Sequence, residues 1–158
     1  MSVNPYDPLL TTPRVYVASS WRNPSQPSVC EMLRTYGYNV FDFRHPAPGS
    51  HGFHWSEIDE AWKTWTPRQF REALSDPRAK AGLRSDMLGL QFANVVVLVQ
   101  PCGRSSHLEL GFGIGMRKVT IVYFPDEAAP MEPELMLGMV GEIAIGQAEL
   151  LSALEAIR

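Results

Sequence analysis

The chain has 158 residues, enough for one domain that buries a core without disulfide or metal staples. Hydrophobic residues make up 45% and charged residues 20%, and the net charge is −3 with no dense basic run, which argues against a large nucleic-acid interface while leaving room for a small phosphate site. Two cysteines, Cys30 and Cys102, set no disulfide framework, no signal-peptide pattern opens the chain, and no apolar run is long enough to span a bilayer, so a cytoplasmic protein with no membrane partner is expected.

Residues 1–13 carry Pro5, Pro8 and Pro13 and read as a flexible N-terminal arm. Arg14 to Ala18 is a short β-rich run, the first strand, and polar Ser19 to Gln26 follows as a loop. Pro27 to Tyr36 reads as a helix with Val29, Met32 and Leu33 on one face and Gly37 as its stop. Asn39 to Phe43 is the second strand. The stretch 44–65 is rich in His and Trp and reads as a lid-like insertion, with Ser56 as a cap for a short turn through Trp62. A firmer helix start is Thr66-Pro67-Arg68-Gln69, where Thr66 can cap, Pro67 suits the first helical position and Gln69 can reach back. Asp76-Pro77 opens a helix running to about Ala93, with Leu83, Met87 and Leu90 as its apolar stripe.

Asn94 to Gln100 is nearly continuous apolar sequence, the pattern of a parallel strand covered on both faces. A helix from about His107 to Met116, a strand at Val119 to Phe124, a short strand at Glu142 to Ile145 and a closing helix from Gln147 to Ile157 complete the series. Strands alternating with helices predict a single α/β domain over residues 14–158. Its sheet is flavodoxin-like or Rossmann-like, five-stranded and parallel, in the order 2-1-3-4-5 with helices on both faces. Ligands bind such a sheet outside the carboxyl ends of the strands, at the switch between strands one and three. Two polar loops therefore face the ligand, Ser19 to Asn23 and Pro101 to Ser106.

Glu109 stands in the first turn of the predicted fourth helix, where the helix dipole favours a negative charge by about 0.3–1 kcal/mol. An ionised carboxylate there can attack a sugar C1′; the plainer role is to improve a helix N-terminus. Asp86 borders the buried face of its helix, and burial would raise its pKa toward that of a proton donor; the plainer role is a carboxylate bonded to a backbone N–H. Ser19, Ser20, Trp21 and Arg22, with Arg104, Ser105 and Ser106 opposite, form a candidate substrate and phosphate cradle, although serines at such places also cap helices. Gly111, Gly113 and Gly115 resemble a dinucleotide fingerprint but sit inside a helix, so close packing on the sheet explains them better. His45, His51, His54, Glu57 and Asp59 match no standard zinc spacing. Trp55, Trp62 and Trp65 could cover a base and exclude water, or simply cover the core. Cys102 lines the crevice loop, and a catalytic thiol there would need a base beside it.

Three stretches together resemble the nucleoside 2′-deoxyribosyltransferase superfamily, most of all its branch of 2′-deoxynucleoside 5′-monophosphate N-glycosidases. They are Tyr16 to Arg22, Asp86 to Val97, and His107 to Gly111 followed by Gly115 and Lys118. The resemblance implies that Glu109 is the nucleophile and that Asp86 assists departure of the base. It implies that Ser20 and Arg22 hold the nucleotide, that no metal or organic cofactor is used, and that the chain forms a homodimer or larger homo-oligomer. The chain departs from the family at Asn94, where an Asp is usual, in the loop before Glu109, and in the insertion 44–65. The expected function is N-glycosidic bond cleavage of a nucleoside or its 5′-monophosphate, by hydrolysis or by transfer. An NAD-type glycohydrolase and a nucleotide-sensing module without turnover are the alternatives.

Overall fold

The computed structural model describes residues 12–157. The N-terminal arm read over residues 1–13 lies outside them except for Thr12 and Pro13. Five parallel strands, β1 (Arg14–Ala18), β2 (Asn39–Asp42), β3 (Val95–Val99), β4 (Val119–Phe124) and β5 (Glu142–Ile145), make one sheet in the order β2-β1-β3-β4-β5. This is the predicted order. The helices are α1 (Gln26–Thr35), α2 (Pro67–Ala73), α3 (Pro77–Phe92), α4 (Arg104–Gly115) and α5 (Gly146–Glu155). No helix among the described residues is long and apolar enough to cross a membrane.

Side chains alternate across a strand, and here that alternation divides two cores. Val15, Val17, Val95, Val97, Val99, Ile121 and Tyr123 turn to one face, under Val29 and Leu33 of α1 and Leu150 and Leu154 of α5. Tyr16, Ala18, Val96, Leu98 and Val122 turn to the other, under Leu90 of α3 and Leu110 of α4. Every residue of β3 is buried, as its unbroken apolar run requires. At Gly113 the fourth helix lies so close to β3 that a Cβ would come within 2.8 Å of Val96 Cγ2, whereas Gly111 and Gly115 meet nothing within 4 Å. Close packing thus accounts for one glycine of the three.

Local sequence sets most helix starts. Thr66 and Gln69 form the expected reciprocal cap of α2, and Asp76 accepts from the Arg78 N–H at 2.8 Å to open α3. The third crossover helix, α4, begins at Arg104 rather than His107. Ser106 Oγ accepts from the Gly103 N–H at 3.3 Å, so the start is built one turn earlier by a serine reaching back. At the far end of α3, Lys118 Nζ donates to the carbonyl oxygens of Gln91 (3.1 Å) and Ala93 (2.5 Å), satisfying acceptors that a helix end leaves free. Asn94 lies at the amino end of β3, where its Oδ1 accepts from the Arg14 N–H at 3.1 Å. Asn94 therefore falls at the end of the sheet opposite the crevice.

The insertion 44–65 contains two single 3-10 turns, Trp55–Glu57 and Trp62–Thr64. His54, not Ser56, caps the first of them. Trp55 is its hub, edge-on to Phe53 (5.0 Å), Trp65 (5.6 Å) and Phe70 of α2 (5.7 Å).

Candidate active site

Tyr16 occupies the middle of β1 with none of its surface exposed. A tyrosine buried so completely needs a partner for its hydroxyl, and Oη donates to Glu109 Oε1 at 3.0 Å across the sheet–α4 interface. Its ring stacks on Phe41 of β2, with centroids 5.1 Å apart and planes 11° from parallel. The other Glu109 oxygen, Oε2, is buried and has no hydrogen-bond partner.

Asp86 reaches the same place from α3. Of the predicted stripe Leu83, Met87 and Leu90, Leu90 is buried in the core and Met87 packs against it, but Leu83 is 61% exposed. Gly82, Asp86, Gly89 and Ala93, spaced by one helical turn, also turn inward. A Cβ at Gly89 would come within 2.7 Å of the Phe41 ring, and one at Gly82 within 2.5 Å of Phe53. Small residues are needed because aromatic rings from β2 and the insertion fill the space beneath the helix. Asp86 sits between these two contacts with no hydrogen-bond partner among the described residues, so it is not the backbone-bonded carboxylate that its position also allowed.

Burial pushes the Asp86 carboxyl up to about 6. Glu109 is pushed up to about 8, first by burial and then by the charge of Asp86, against the lowering effect of the Tyr16 hydroxyl. This corrects the expectation that Glu109 is ionised by a helix N-terminus. With α4 starting at Arg104, Glu109 is its sixth residue, beyond the first turn in which the dipole acts, and desolvation prevails. The Tyr16 phenol is raised as well, by burial first and then by the neighbouring carboxylates.

The expected cradle divides into occupied and free groups. Ser19 Oγ donates to the Val99 carbonyl and accepts from Asn23 Nδ2, both at 2.9 Å, so it ties the carboxyl ends of β1 and β3 together. Ser106 is buried and spent on the α4 cap. Ser20 Oγ accepts from the Arg22 N–H at 3.1 Å. Arg22, Arg104 and Ser105 are exposed, with side chains that take no partner among the described residues. Trp21 is 41% exposed and stands edge-on to Phe43 at 5.3 Å. What holds this loop is Arg44, whose Nη2 donates at 2.9 Å to each of the carbonyl oxygens of Ser20, Trp21 and Asn23.

Cys102 Sγ lies 3.7 Å from His107 Nδ1, but that nitrogen is also 3.0 Å from the Gly103 carbonyl, which only an N–H can satisfy. Burial pushes the thiol up to about 11. An unionised thiol beside a nitrogen already used as a donor is not an activated nucleophile. Among the described residues no three of His, Cys, Asp and Glu gather as a metal site. His45 leans on Asp42 at 3.3 Å, His51 on the Gly52 carbonyl at 2.9 Å, and Asp59 accepts from Trp65 Nε1 at 2.6 Å, which holds its carboxyl below the usual range. A separate cleft of about 310 Å³ opens where β4 and β5 end, over Phe124, Leu137, Ile143 and Ile145, and no predicted site residue lines it.

Two residues of the site escape a reading of the sequence. Tyr16 is hidden in an apolar strand, and its signal is a phenol in a run that must be buried on both faces. Arg44 follows a strand directly and resembles any loop arginine. No protein-family model matches the chain, and no curated protein matches it. Among solved structures the chain is similar to a CMP N-glycosidase, BcmB, of Clostridium botulinum, with 15% sequence identity, a TM-score of 0.48, and coverage of 92% of this chain and 99% of that one.

Proposed function

We propose that this chain cleaves the N-glycosidic bond of a (deoxy)nucleoside or its 5′-monophosphate, with Glu109 as nucleophile and Asp86 as proton donor to the leaving base. One observation carries the reading: Glu109 has one oxygen held by Tyr16 and the other buried without a partner, beside a second carboxyl whose pKa is also raised. Two interacting carboxyls near neutrality hold one proton between them, and the proton belongs to the pair.

The higher-lying Glu109 carboxyl holds that proton for most of the time, and the reactive form is the minor arrangement with the proton on Asp86 and the charge on Glu109. A Glu109 oxygen bonds to C1′ as the bond from C1′ to the base nitrogen breaks, and the Asp86 proton goes to that nitrogen. Water then attacks C1′, gives its proton to Asp86 and frees Glu109 as carboxylate; in transfer, the ring nitrogen of a second base takes the place of water. The Tyr16 hydroxyl orients the nucleophile by its bond to Oε1. Arg22, Arg104 and Ser105 are free to bind a 5′-phosphate, while Ser19, Ser20 and Ser106 shape the backbone around it. The proposal includes assembly into a homo-oligomer, for which Leu88 (56% exposed) and Phe92 (41%) on α3 and Leu108 (77%) and Met116 (56%) on α4 supply apolar surface; light scattering in solution reads the mass.

The test is incubation with nucleosides, their 5′-monophosphates and NAD, with chromatography for released base. A 2-fluoro sugar substrate slows both steps by destabilising the oxocarbenium-like transition state, and the expected result is an adduct on Glu109 in the intact mass. Base release without any adduct would leave attack by water with Glu109 as base. No release from any compound would remove the glycosidase reading.

A further inference from the structure

The insertion is the largest part of the chain that the proposed chemistry does not use, and its contacts place it beside Asp86. A side chain at Gly52 would collide with the Phe43 carbonyl and come within 3.1 Å of Trp21 Cζ2, so the insertion passes tightly under the loop that follows β1. Phe53 lies on Gly82, one helical turn before Asp86 on the same stripe of α3. The next residue is His54. Its ring stands edge-on between two tryptophans, Trp21 at 6.0 Å and Trp62 at 5.6 Å, with interplanar angles of 86° and 88°. Phe53 thus packs one turn from Asp86, and the neighbouring His54 ring lies against Trp21 of the crevice loop.

The hydrogen bonds of His54 fix what it offers. Nδ1 accepts from the Ser56 N–H at 3.2 Å, and the Ser56 hydroxyl lies 2.7 Å from the same nitrogen. A backbone N–H can only donate, so Nδ1 carries no proton in the neutral ring and the proton is on Nε2. The Nε2–H lies at the ring edge away from the Ser56 turn and has no partner among the described residues. The backbone N–H of His54 is bonded to Glu57 Oε1 at 2.7 Å, so the residue is held at both main chain and ring. A half-buried donor held in one tautomer, between aromatic rings and against the crevice loop, is arranged to meet a flat ligand with an acceptor on its edge.

We infer that His54 is a base-recognition residue of this site, its Nε2–H donating to a carbonyl oxygen or ring nitrogen of the nucleobase. The inference rests on the proposed glycosidase reading for the identity of the ligand. The insertion then selects among bases, and the sugar and phosphate are left to the loops after β1 and β3.

The experiment is calorimetric titration of the full chain with free adenine, cytosine and uracil, and separately with 2-deoxyribose 5-phosphate, for the wild type, His54→Ala and His54→Gln. Gln carries an N–H close to the position of Nε2. The expected result is a loss of about fivefold to tenfold in affinity for the best-bound base in His54→Ala, the size of one neutral hydrogen bond, and a narrower spread among bases. Sugar phosphate binding stays within about twofold in that variant, and His54→Gln recovers most of the base affinity. Equal losses for base and sugar phosphate, no change in either, failure of Gln to restore base binding, or a wild type that binds none of the bases would overturn the inference. If bases bind with this dependence on His54 while no nucleotide is cleaved, the glycosidase reading fails and base recognition stands.

Discussion

Asp42 and Glu109 both carry carboxyls into the interior, and the protein treats them differently. Asp42, at the end of β2, accepts from Gln26 Nε2 at 2.7 Å and from the Arg44 N–H at 3.0 Å, with His45 Nδ1 at 3.3 Å and Arg34 at 3.9 Å. Glu109 has one bond, from Tyr16, and an oxygen with none. A saturated carboxylate holds structure. An under-satisfied one keeps a costly, reactive state that a substrate can relieve. The difference shows which buried acid to assign to chemistry: the one whose surroundings stop short of neutralising it.

The sharpest way to break the comparison is Glu109→Gln. Base release should fall at least about a hundredfold, the low end of what a positioned catalytic group contributes. Stability should change in the opposite sense. The Glu109 carboxyl is raised from 4.5 to about 8, so its contribution to stability is fully present below pH 4.5 and is lost as pH rises through 8. The amide has no such loss, so thermal melts should show the variant more stable than wild type at about pH 9 and matched to it at about pH 4. A variant less stable on the alkaline side would show that the charged form is better solvated than its surroundings indicate.

Asp42→Ala tests the other side. It leaves Gln26 Nε2 and the Arg44 N–H without their acceptor and should cost about 2 kcal/mol in chemical denaturation at neutral pH. The activity profile is next. With one proton required on the pair, kcat/KM should rise through an apparent pKa near 6 and fall through one near 8. Tyr16→Phe keeps the stack on Phe41 but removes a bond that lowers the Glu109 carboxyl. The alkaline limb should then move to higher pH while the limb near 6 stays in place, and peak activity should drop about tenfold. Arg22→Ala is the smallest effect: about fivefold weaker binding of 5′-monophosphates with nucleosides unchanged, read by titration. Equal losses for both ligands would remove the phosphate role.

Much of this is legible in the chain. The bounds of β1, β4 and β5, the reciprocal cap at Thr66 and Gln69, and the strand order follow from alternation, capping chemistry and the apolar run of β3. The inward side of α3 is only partly legible: Leu90 marks it, but Leu83, at the same apolar spacing, is exposed. There Phe53 and Phe41 bring the bulk, and Gly82 and Gly89 make room for them. The sequence puts Glu109 one turn too near the helix end, since Ser106 capping back to Gly103 looks like loop sequence. The dipole support expected for the Glu109 charge is absent for the same reason: it acts only at a helix end, and deeper in the helix burial raises the carboxyl.

Arg44 has a bearing on how this protein could be altered. One guanidinium nitrogen fastens three carbonyl oxygens of the loop after β1, and the arginine itself is the first residue of the insertion. The two segments are thus a single unit for engineering or for divergence. Changes within 44–62 and within 19–23 should combine non-additively, and a foreign insertion grafted after β2 would need to bring its own arginine to this position. Libraries aimed at new ligands would do best to vary the two segments together and leave Arg44 fixed.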